Sequence, residues 1–288
     1  MTKSRPILKT TKKPKGAFFG FKDGYQRPRL NFDTSTTIWR IDETITKKVQ
    51  NWKAWTGEDG RSGSRAGAMR EEETAYSGTY SVFPAPLAEY IILRYGGEPG
   101  NKIIDPFAGG PVRGVVSSVM GYEYHGVDVR QGAIDEDLES LERLDLSANY
   151  HLGDSRHLHK LFDRDEFDFC FSCPPYFNLE VYSDQEDDIS NIDDYWDFHD
   201  MIAKVFKSLY KAMKTDAFVC MVVGNFRVKG KLVDFRGDTV ANMEQAGFEF
   251  WQDVVLSRSA GSAAIRAGTS WKGLKLVPRH EYLLVFRK

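Results

Sequence analysis

Short apolar runs of strand length alternate with helix-length segments from residue 81 to the end of the chain. Helices are predicted at 85–95, 131–144, 194–214 and 235–246. Strands are predicted at 102–107, 122–129, 167–173, 217–225, 248–256 and 282–286. Alternation of this kind favours a mainly parallel, twisted sheet with helices on both faces. The remaining residues of this 288-residue chain leave room for a small extension.

The first 80 residues lack this alternation. Residues 1–30, rich in Lys, Arg, Pro and Gly, are predicted to form a flexible basic arm. Residues 31–80 contain three tryptophans and a Gly/Ser/Arg stretch, which indicates a small irregular extension before an α/β domain at 81–288. Neither a membrane-spanning run nor a secretory signal is found, and Cys170, Cys173 and Cys220 lack zinc-ligand spacing. A reducing cytoplasm, without a metal site, is therefore expected.

The net charge of -2 conceals an uneven distribution along the chain. Residues 1–80 and 226–288 carry an excess of Lys and Arg, whereas residues 81–225 carry an excess of Asp and Glu. A polyanionic partner would be attracted to the ends and repelled by much of the middle. Eight acidic residues between Asp184 and Asp200 are interpreted as a solvated loop and helix start and not as metal ligands.

A glycine-containing turn follows the first predicted strand of the domain. Glycines let a backbone approach a ligand closely, the next helix offers free N–H groups, and Pro111 suits the first turn of that helix. The following strand ends at Asp128, where a carboxylate can accept hydrogen bonds from ribose hydroxyls. Asp154, in a Gly-Asp-Ser turn, is a candidate acceptor for an adenine amino group. The turn comprises Asp105, Pro106, Phe107, Ala108, Gly109 and Gly110. Taken alone, the turn and the two acids would also fit a nicotinamide dehydrogenase.

The segment after the predicted strand 167–173 argues against a dehydrogenase. Pro174 and Pro175 fix φ and remove two backbone donors, so an exposed carbonyl there can accept a hydrogen bond from the exocyclic amino group of a base. Tyr176 offers a face on which a base drawn out of a duplex can stack. A dehydrogenase would leave this Pro-Pro-Tyr segment unexplained.

With these motifs, residues 76–288 resemble the DNA amino-methyltransferases that act on N6 of adenine or N4 of cytosine, with a softer similarity to a phage and prophage subgroup. The resemblance implies a Rossmann-like class I methyltransferase fold, S-adenosylmethionine as cofactor and DNA, in duplex form, as substrate. It implies cofactor contacts from Phe83 and Pro84, the turn at 105–110, Asp128 and Asp154. It assigns catalysis to the segment Cys173, Pro174, Pro175 and Tyr176.

Two positions depart from the family pattern. Pro111 stands where the family has Gly, and Cys173 stands where Asp, Asn or Ser precedes Pro-Pro. A thiol is a weak acceptor, so the Pro174 carbonyl is expected to carry more of the polarising role, and the Ser-like size of Cys173 tilts the expectation toward cytosine N4. Alternatives that stay open are an RNA or protein-glutamine methyltransferase and a catalytically silent binding module of the same fold.

Target recognition is assigned to residues 1–80 and to a basic Gly/Ser/Arg loop at 257–280. Lys and Arg side chains in such a loop contact phosphates without reading sequence. The expected setting is a bacterial or phage-infected cell, where a restriction-modification role is one possibility. The candidate phosphate contacts are Arg258, Arg266, Lys272, Lys275 and Arg279.

Overall fold

The computed structural model describes residues 8–9, 37–40, 83–177, 188–257, 270–271 and 273–288, with the backbone alone at residues 8, 9 and 40. The strands are β1 Leu8–Lys9, β2 Ile38–Arg40, β3 Lys102–Asp105, β4 Glu123–Asp128, β5 Asn149–Leu152, β6 Phe167–Ser172, β7 Met213–Val223, β8 Phe226–Val228, β9 Lys231–Val233, β10 Glu249–Ser257 and β11 His280–Arg287. The α-helices are α1 Ala85–Tyr95, α2 Val112–Val119, α3 Gln131–Arg143, α4 Tyr195–Ala212 and α5 Phe235–Ala246. Short 3-10 turns cover Ser155–Lys160 and Ile189–Asn191.

Within the described residues, nine strands form one sheet in the order β1-β5-β4-β3-β6-β7-β11-β10-β2. Neighbouring strands from β5 to β7 are parallel, and β2 is parallel to β10. Strand β11 runs antiparallel to both β7 and β10, and β1 runs antiparallel to β5. The prediction of a mainly parallel α/β sheet is confirmed.

Two apolar cores lie on opposite faces of this sheet. One core contains buried residues of α1, α2 and α3, and the other contains those of α4 and α5. Successive side chains of a strand point to opposite faces, so β6 supplies Phe169 and Phe171 to the first core and Cys170 to the second. Phe167 joins the second core because the register of β6 shifts between Phe167 and Phe169. Helices therefore cover both faces of the sheet, as predicted.

Helix ends follow local capping chemistry. Helix α4 begins after Asp194, whose side chain accepts hydrogen bonds from the backbone of Trp196 and Asp197. Helix α5 begins after Asp234 and ends at Gly247, which adopts a φ of 112° that favours glycine. The predicted bounds 85–95 and 235–246 agree with α1 and α5.

Some predicted bounds were wrong. The strand predicted at 217–225 is Met213–Val223, because α4 passes into β7 without a loop. The hairpin of β8 and β9 was missed because each strand has only three residues. No helix in the described part of the chain is long and apolar enough to cross a membrane.

The division of residues 1–80 into an arm and an extension stays a prediction, since most of these residues lie outside the described ranges. The described parts join the sheet at its two edges. Leu8 and Lys9 pair with Tyr150 and Asn149 of β5. At the other edge, β2 pairs with β10 and buries the Trp39 side chain, which is 2% exposed.

Candidate active site

The candidate site lies where the order of strands reverses in the sheet. Strand β3 pairs with β4 on one side and with β6 on the other, and all three are parallel. Their carboxyl ends therefore meet at one edge, where the chain leaves β3 and β6 in opposite directions across the sheet. In open α/β sheets, ligands bind in the crevice that forms at such a point. The turn after β3 and the Pro-Pro-Tyr segment after β6 both begin there.

One buried carboxylate joins these two segments. Asp105, the last residue of β3, is 0% exposed and accepts four hydrogen bonds from protein groups. Its Oδ1 accepts from the Phe107 backbone at 3.1 Å and from the Ser172 hydroxyl at 2.5 Å. Its Oδ2 accepts from Arg113 Nε at 2.5 Å and from the Tyr124 hydroxyl at 2.7 Å. Asp105 therefore ties the turn, β4, β6 and α2 together, and its predicted contact with a cofactor stays a prediction.

Arg113 is the cationic partner of this carboxylate. Burial is the largest influence and would lower its pKa, but Asp105, Tyr124 and Cys173 together outweigh burial, so the pKa of Arg113 is raised. A second nitrogen, Nη2, donates to the Phe107 carbonyl at 2.7 Å. The guanidinium carbon lies 5.5 Å from the centre of the Phe83 ring. Arg113 thus holds the turn from behind and connects it to Phe83.

The turn itself leaves space at its glycines. A side-chain carbon added at Gly109 or Gly110 would meet no atom within 4 Å, and Gly110 has a φ of 86°. The backbone around them is held by hydrogen bonds from Ala108 to the Val127 carbonyl, at 3.1 Å, and from the Ser155 hydroxyl to the Pro106 carbonyl, at 2.6 Å. A ligand can therefore approach this backbone without displacing a side chain.

Pro111 occupies the N-cap of α2 with a φ of -76°. Its carbonyl accepts the hydrogen bond from Val115 at 2.8 Å, so it starts the helix as its ring geometry favours. The departure from the family glycine is accommodated as a helix start and leaves Gly109 and Gly110 open.

Asp128 lies at the carboxyl end of β4 with a side chain 10% exposed. Burial raises its pKa to about 6, although Arg130 partly offsets this, and the nearby Asp188 adds to the rise. The carboxylate accepts from the Arg130 backbone at 2.8 Å, and Arg130 Nε lies 3.5 Å away. A carboxylate that is poorly solvated gains from donors such as ribose hydroxyls.

Asp154 has a different environment. It caps the 3-10 turn Ser155–Lys160 by accepting from the Arg156 backbone. Both carboxylate oxygens also accept from Arg156 Nε, at 3.0 and 2.8 Å. An adenine amino group would have to share this carboxylate with Arg156, so the predicted contact of Asp154 stays a prediction.

The Pro-Pro-Tyr segment follows β6, and its residues pack against both apolar cores. Cys173 is half-buried, packs on the first core as Phe83 does, and lies near Arg113. Pro174 is buried, whereas Pro175 and Tyr176 are half-buried. The Tyr176 ring packs on the second core, 6.2 Å from the ring centres of Phe226 and Phe235.

The turn of the chain after Tyr176 is anchored by Phe177. This residue has a φ of 53°, in the left-handed region, and its side chain is buried. The Pro-Pro-Tyr segment therefore ends at a fixed position. Phe83 contacts Phe171 of β6 with ring centres 5.2 Å apart, and Pro84 is the N-cap residue of α1. The predicted cofactor contacts of Phe83 and Pro84 stay predictions.

The predicted phosphate contacts are only partly described. Arg258, Arg266 and Lys272 lie outside the described residues, whereas Lys275 and Arg279 are exposed. A carbon added at Gly230 would lie 3.4 Å from Lys275 Nζ, which places Lys275 beside the β8–β9 turn. In the acidic run, Asp188 and Asp194 cap helical turns. No group of side chains that could hold a metal ion is found among the described residues.

Sequence reasoning missed the residues that support this site. Ser172, Tyr124 and Arg113 bind Asp105, and Ser155 binds the turn. One signal was available: α2 has the sequence VRGVVSSV, in which a single arginine stands in an otherwise uncharged helix. An arginine at such a position needs a buried acid, and Asp105 precedes it by eight residues.

About 71% of the chain has a fold similar to that of two solved structures. Geranyl diphosphate methyltransferase, solved with geranyl diphosphate and sinefungin, is 12% identical over 71% of this chain and 77% of its own, with a TM-score of 0.51. The 4+2 cyclase SpnF is 15% identical over 71% of this chain and 81% of its own, with a TM-score of 0.50. The chain has the Rossmann-like fold of S-adenosylmethionine-dependent methyltransferases.

A family model identifies the carboxyl-terminal part more narrowly. Residues 167–288 match the model of the N6/N4 family that is described as DNA methylase. TTHA0409 from Thermus thermophilus, a candidate DNA modification methylase, is 19% identical over 47% of this chain, with a TM-score of 0.36. This chain spans 50% of the length of TTHA0409. No curated protein sequence matches the chain.

Proposed function

We propose that this protein transfers a methyl group from S-adenosylmethionine to the exocyclic amino group of a DNA base, at N4 of cytosine or N6 of adenine. One observation carries the proposal beyond the family match of residues 167–288. The Asp105 carboxylate accepts hydrogen bonds from Phe107 in the glycine turn and from Ser172 at the end of the strand before Pro-Pro-Tyr. A cofactor on the turn would therefore lie beside a base at Cys173–Tyr176.

The described residues fit the cofactor. Gly109 and Gly110 leave an open backbone cradle, and Asp128 offers a carboxylate at the end of the next strand. When bound, S-adenosylmethionine supplies an electrophilic methyl group on a sulfonium. The turn at 105–110 would hold its methionine part, and Asp128 its ribose.

The Pro-Pro-Tyr segment would position the base. The Pro174 carbonyl accepts a hydrogen bond from the amino group, which increases the electron density on that nitrogen. Tyr176 stacks on the base, and its ring is held by Phe226 and Phe235. The rate enhancement would come from positioning and hydrogen bonding, because no strong base is required.

Finer points belong to the same proposal. Duplex DNA is the proposed substrate form, and the size of Cys173 favours cytosine N4 as target. Arg258, Arg266, Lys272, Lys275 and Arg279 are the proposed phosphate contacts of the loop at 257–280. The proposed setting is the cytoplasm of a bacterial or phage-infected cell, with or without a cognate restriction nuclease.

The test uses S-adenosylmethionine with a labelled methyl group and three substrates, namely duplex DNA, single-stranded DNA and RNA. After digestion to nucleosides, we expect the label in N4-methylcytosine or N6-methyladenine from DNA. Label in RNA alone, or in glutamine of an added protein, would replace the proposal by one of those activities. Cofactor binding without transfer to any substrate would indicate a silent binding module.

Replacement of Tyr176 tests the base site. We expect Tyr176→Ala to lower kcat/KM roughly 10- to 100-fold, because stacking on an aromatic ring contributes about 1–3 kcal/mol per base. Tyr176→Phe keeps the ring and should retain most of the activity. The measurement is steady-state transfer to a defined duplex, with circular dichroism of each variant as a check on folding. Full activity of the alanine variant would place the base elsewhere.

A further inference from the structure

A basic groove lies on the face of the sheet that α4 covers, away from the Pro-Pro-Tyr segment. It has a volume of about 380 Å³ and forms between α4 and the 3-10 turn Ser155–Lys160. All of its lining residues except one serine are basic. They are Arg156, His157, His159, Lys204, Lys207, Ser208 and Lys211. This concentration of cationic residues falls in the part of the sequence, 81–225, that carries an excess of acids.

The groove is a built feature and not a chance grouping of mobile side chains. The Leu158 backbone donates to the Ser208 hydroxyl at 2.9 Å, which fastens the 3-10 turn to α4 at the groove floor. Arg156 Nη1 lies 3.3 Å from Met201 Sδ on α4. The relative position of the two elements is therefore fixed by contacts at both Met201 and Ser208.

The lysines form one row along α4. Lys204, Lys207 and Lys211 are exposed and follow the three- and four-residue spacing that places side chains on one helix face. Within the described residues, none of the three pairs with a carboxylate, although Asp200 lies one helical turn before Lys204. The acid nearest the other wall, Asp154, is already paired with Arg156. In the part of the chain that the structure describes, the row therefore presents positive charge that no carboxylate pairs with.

The dimensions suit a phosphate backbone. Lys204 to Lys211 span about 10 Å along the helix axis, at 1.5 Å per residue. Successive phosphates of one B-DNA strand advance about 3.4 Å along the axis and also wind around it, so a straight row of this length faces roughly two phosphates. His157, with a side chain 48% exposed, and His159 line the opposite wall. Lysine recognises phosphate as a point charge and needs no fixed angle.

We infer that this groove binds the sugar–phosphate backbone of DNA at a second place, outside the loop at 257–280 and the catalytic cleft. The inference rests on the proposed function for its choice of DNA as the polyanion. Contacts of this kind position a duplex without reading its sequence. Arg156 connects the groove to Asp154 at the carboxyl end of β5, so DNA held there would extend from the edge of the sheet that carries the candidate site.

The test compares two double variants that lose the same charge. Lys207→Gln with Lys211→Gln removes two groove cations. Arg94→Gln with Arg143→Gln removes two exposed cations from α1 and α3, which pack on the opposite face of the sheet. Binding of a fluorescent duplex oligonucleotide is followed by anisotropy from about 50 to 200 mM salt.

We expect the groove variant to bind DNA roughly tenfold more weakly at the lowest salt. Its plot of log K against log salt should lose a slope of about two, one for each lysine. The control variant should keep the wild-type slope. Equal losses in the two variants, or no loss in the groove variant, would overturn the inference.

Methyl transfer by the wild-type protein separates this inference from the proposed function. If DNA is methylated while both variants bind DNA as the wild type does, the groove inference fails and the function stands. If DNA is not methylated but its binding still depends on Lys207 and Lys211, the function fails and the groove inference stands.

Discussion

Asp105 shows how a single residue can position two functional segments at once. Its carboxylate is fully buried and meets four donors, one of them the guanidinium of Arg113. Removing one partner of a buried ion pair is strongly destabilising, by about 3–5 kcal/mol, because the other charge stays buried without compensation. Asp105 and Arg113 therefore hold the turn and Ser172 in place through these hydrogen bonds.

Asp128 provides a prediction at the scale of one residue. Its pKa of about 6 lies above the ordinary value of 3.8, chiefly because of burial. The folded protein thus holds this proton more tightly than the unfolded chain, and stability falls as the pH rises from about 4 to 6. We expect Asp128→Asn to raise the free energy of unfolding by about 1–3 kcal/mol at pH 7 and to change it little at pH 4.

The same variant should lose cofactor affinity. Hydrogen bonds to a charged group contribute about 1.5–3 kcal/mol, so calorimetry should show roughly 10- to 100-fold weaker binding of S-adenosylmethionine at pH 7.5. Wild-type affinity should fall as the pH drops below about 6, whereas that of the variant should stay nearly constant. Wild-type affinity in the variant at pH 7.5 would remove Asp128 from the cofactor site.

At this scale the sequence predicted the motifs but not their partners. The turn at 105–110 and Pro-Pro-Tyr were identified from local pattern. The bond from Ser172 to Asp105 joins residues 67 positions apart, and only the pairing of β3 with β6 brings them together. Asp154 and Arg156 are only two positions apart, yet their pairing was not predicted, because each residue is also common in ordinary turns.

At the scale of elements, α2 packs unusually closely on β4 and β5. A side-chain carbon at Gly114 would overlap the Tyr150 hydroxyl, and Tyr150 is completely buried. The same ring limits Gly126 on β4, where an added carbon would lie 2.9 Å from it. These two glycines therefore set the distance between helix and sheet behind the cofactor turn.

Gly114→Ala tests this packing. Alanine is the better helix former by about 1 kcal/mol, but overpacking a rigid core costs about 1–3 kcal/mol. Because the Tyr150 ring has no free space to enter, we expect a net loss of stability, measured as a lower urea midpoint. Gly132→Ala in α3 is the control, since its added carbon meets nothing within 4 Å. A stabilised Gly114 variant would show that the helix can move away from the sheet.

The predicted bounds of elements were accurate where capping residues mark them. Asp234 and Gly247 delimit α5, and the prediction 235–246 agrees with it. Between α4 and β7, by contrast, Met213 is at once the C-cap of the helix and the first residue of the strand. No Gly or Pro marks that boundary, so local sequence could not place it.

For the whole molecule, residues before the α/β domain complete both edges of its sheet. Strand β1 pairs with β5 and β2 pairs with β10, so neither β5 nor β10 presents a bare edge along these residues. Trp39 connects β2 to the core that α1, α2 and α3 share. The sequence predicted residues 1–30 as a flexible arm and residues 31–80 as an irregular extension, because strands of two or three residues leave no detectable periodicity.

Trp39→Ala should therefore affect the whole fold. Loss of a buried Trp costs about 3–5 kcal/mol, which should appear as a lower midpoint of urea unfolding. The neighbouring Ile38 is 57% exposed, and Ile38→Ala should change stability by less than about 0.5 kcal/mol. Equal effects of the two substitutions would mean that β2 contributes little beyond its backbone pairing.

The hydrogen bonds of Asp105, Arg113 and Ser155 to the cofactor turn have a thermodynamic consequence for recognition. Every one of them is made between protein groups, so the turn holds its shape before any ligand arrives. The loss of backbone entropy that would accompany ordering of a loop, about 1–2 kcal/mol per residue, has already occurred during folding. Contacts that a ligand makes with the turn can then appear in full as affinity, and release of that ligand need not wait for a loop to unfold.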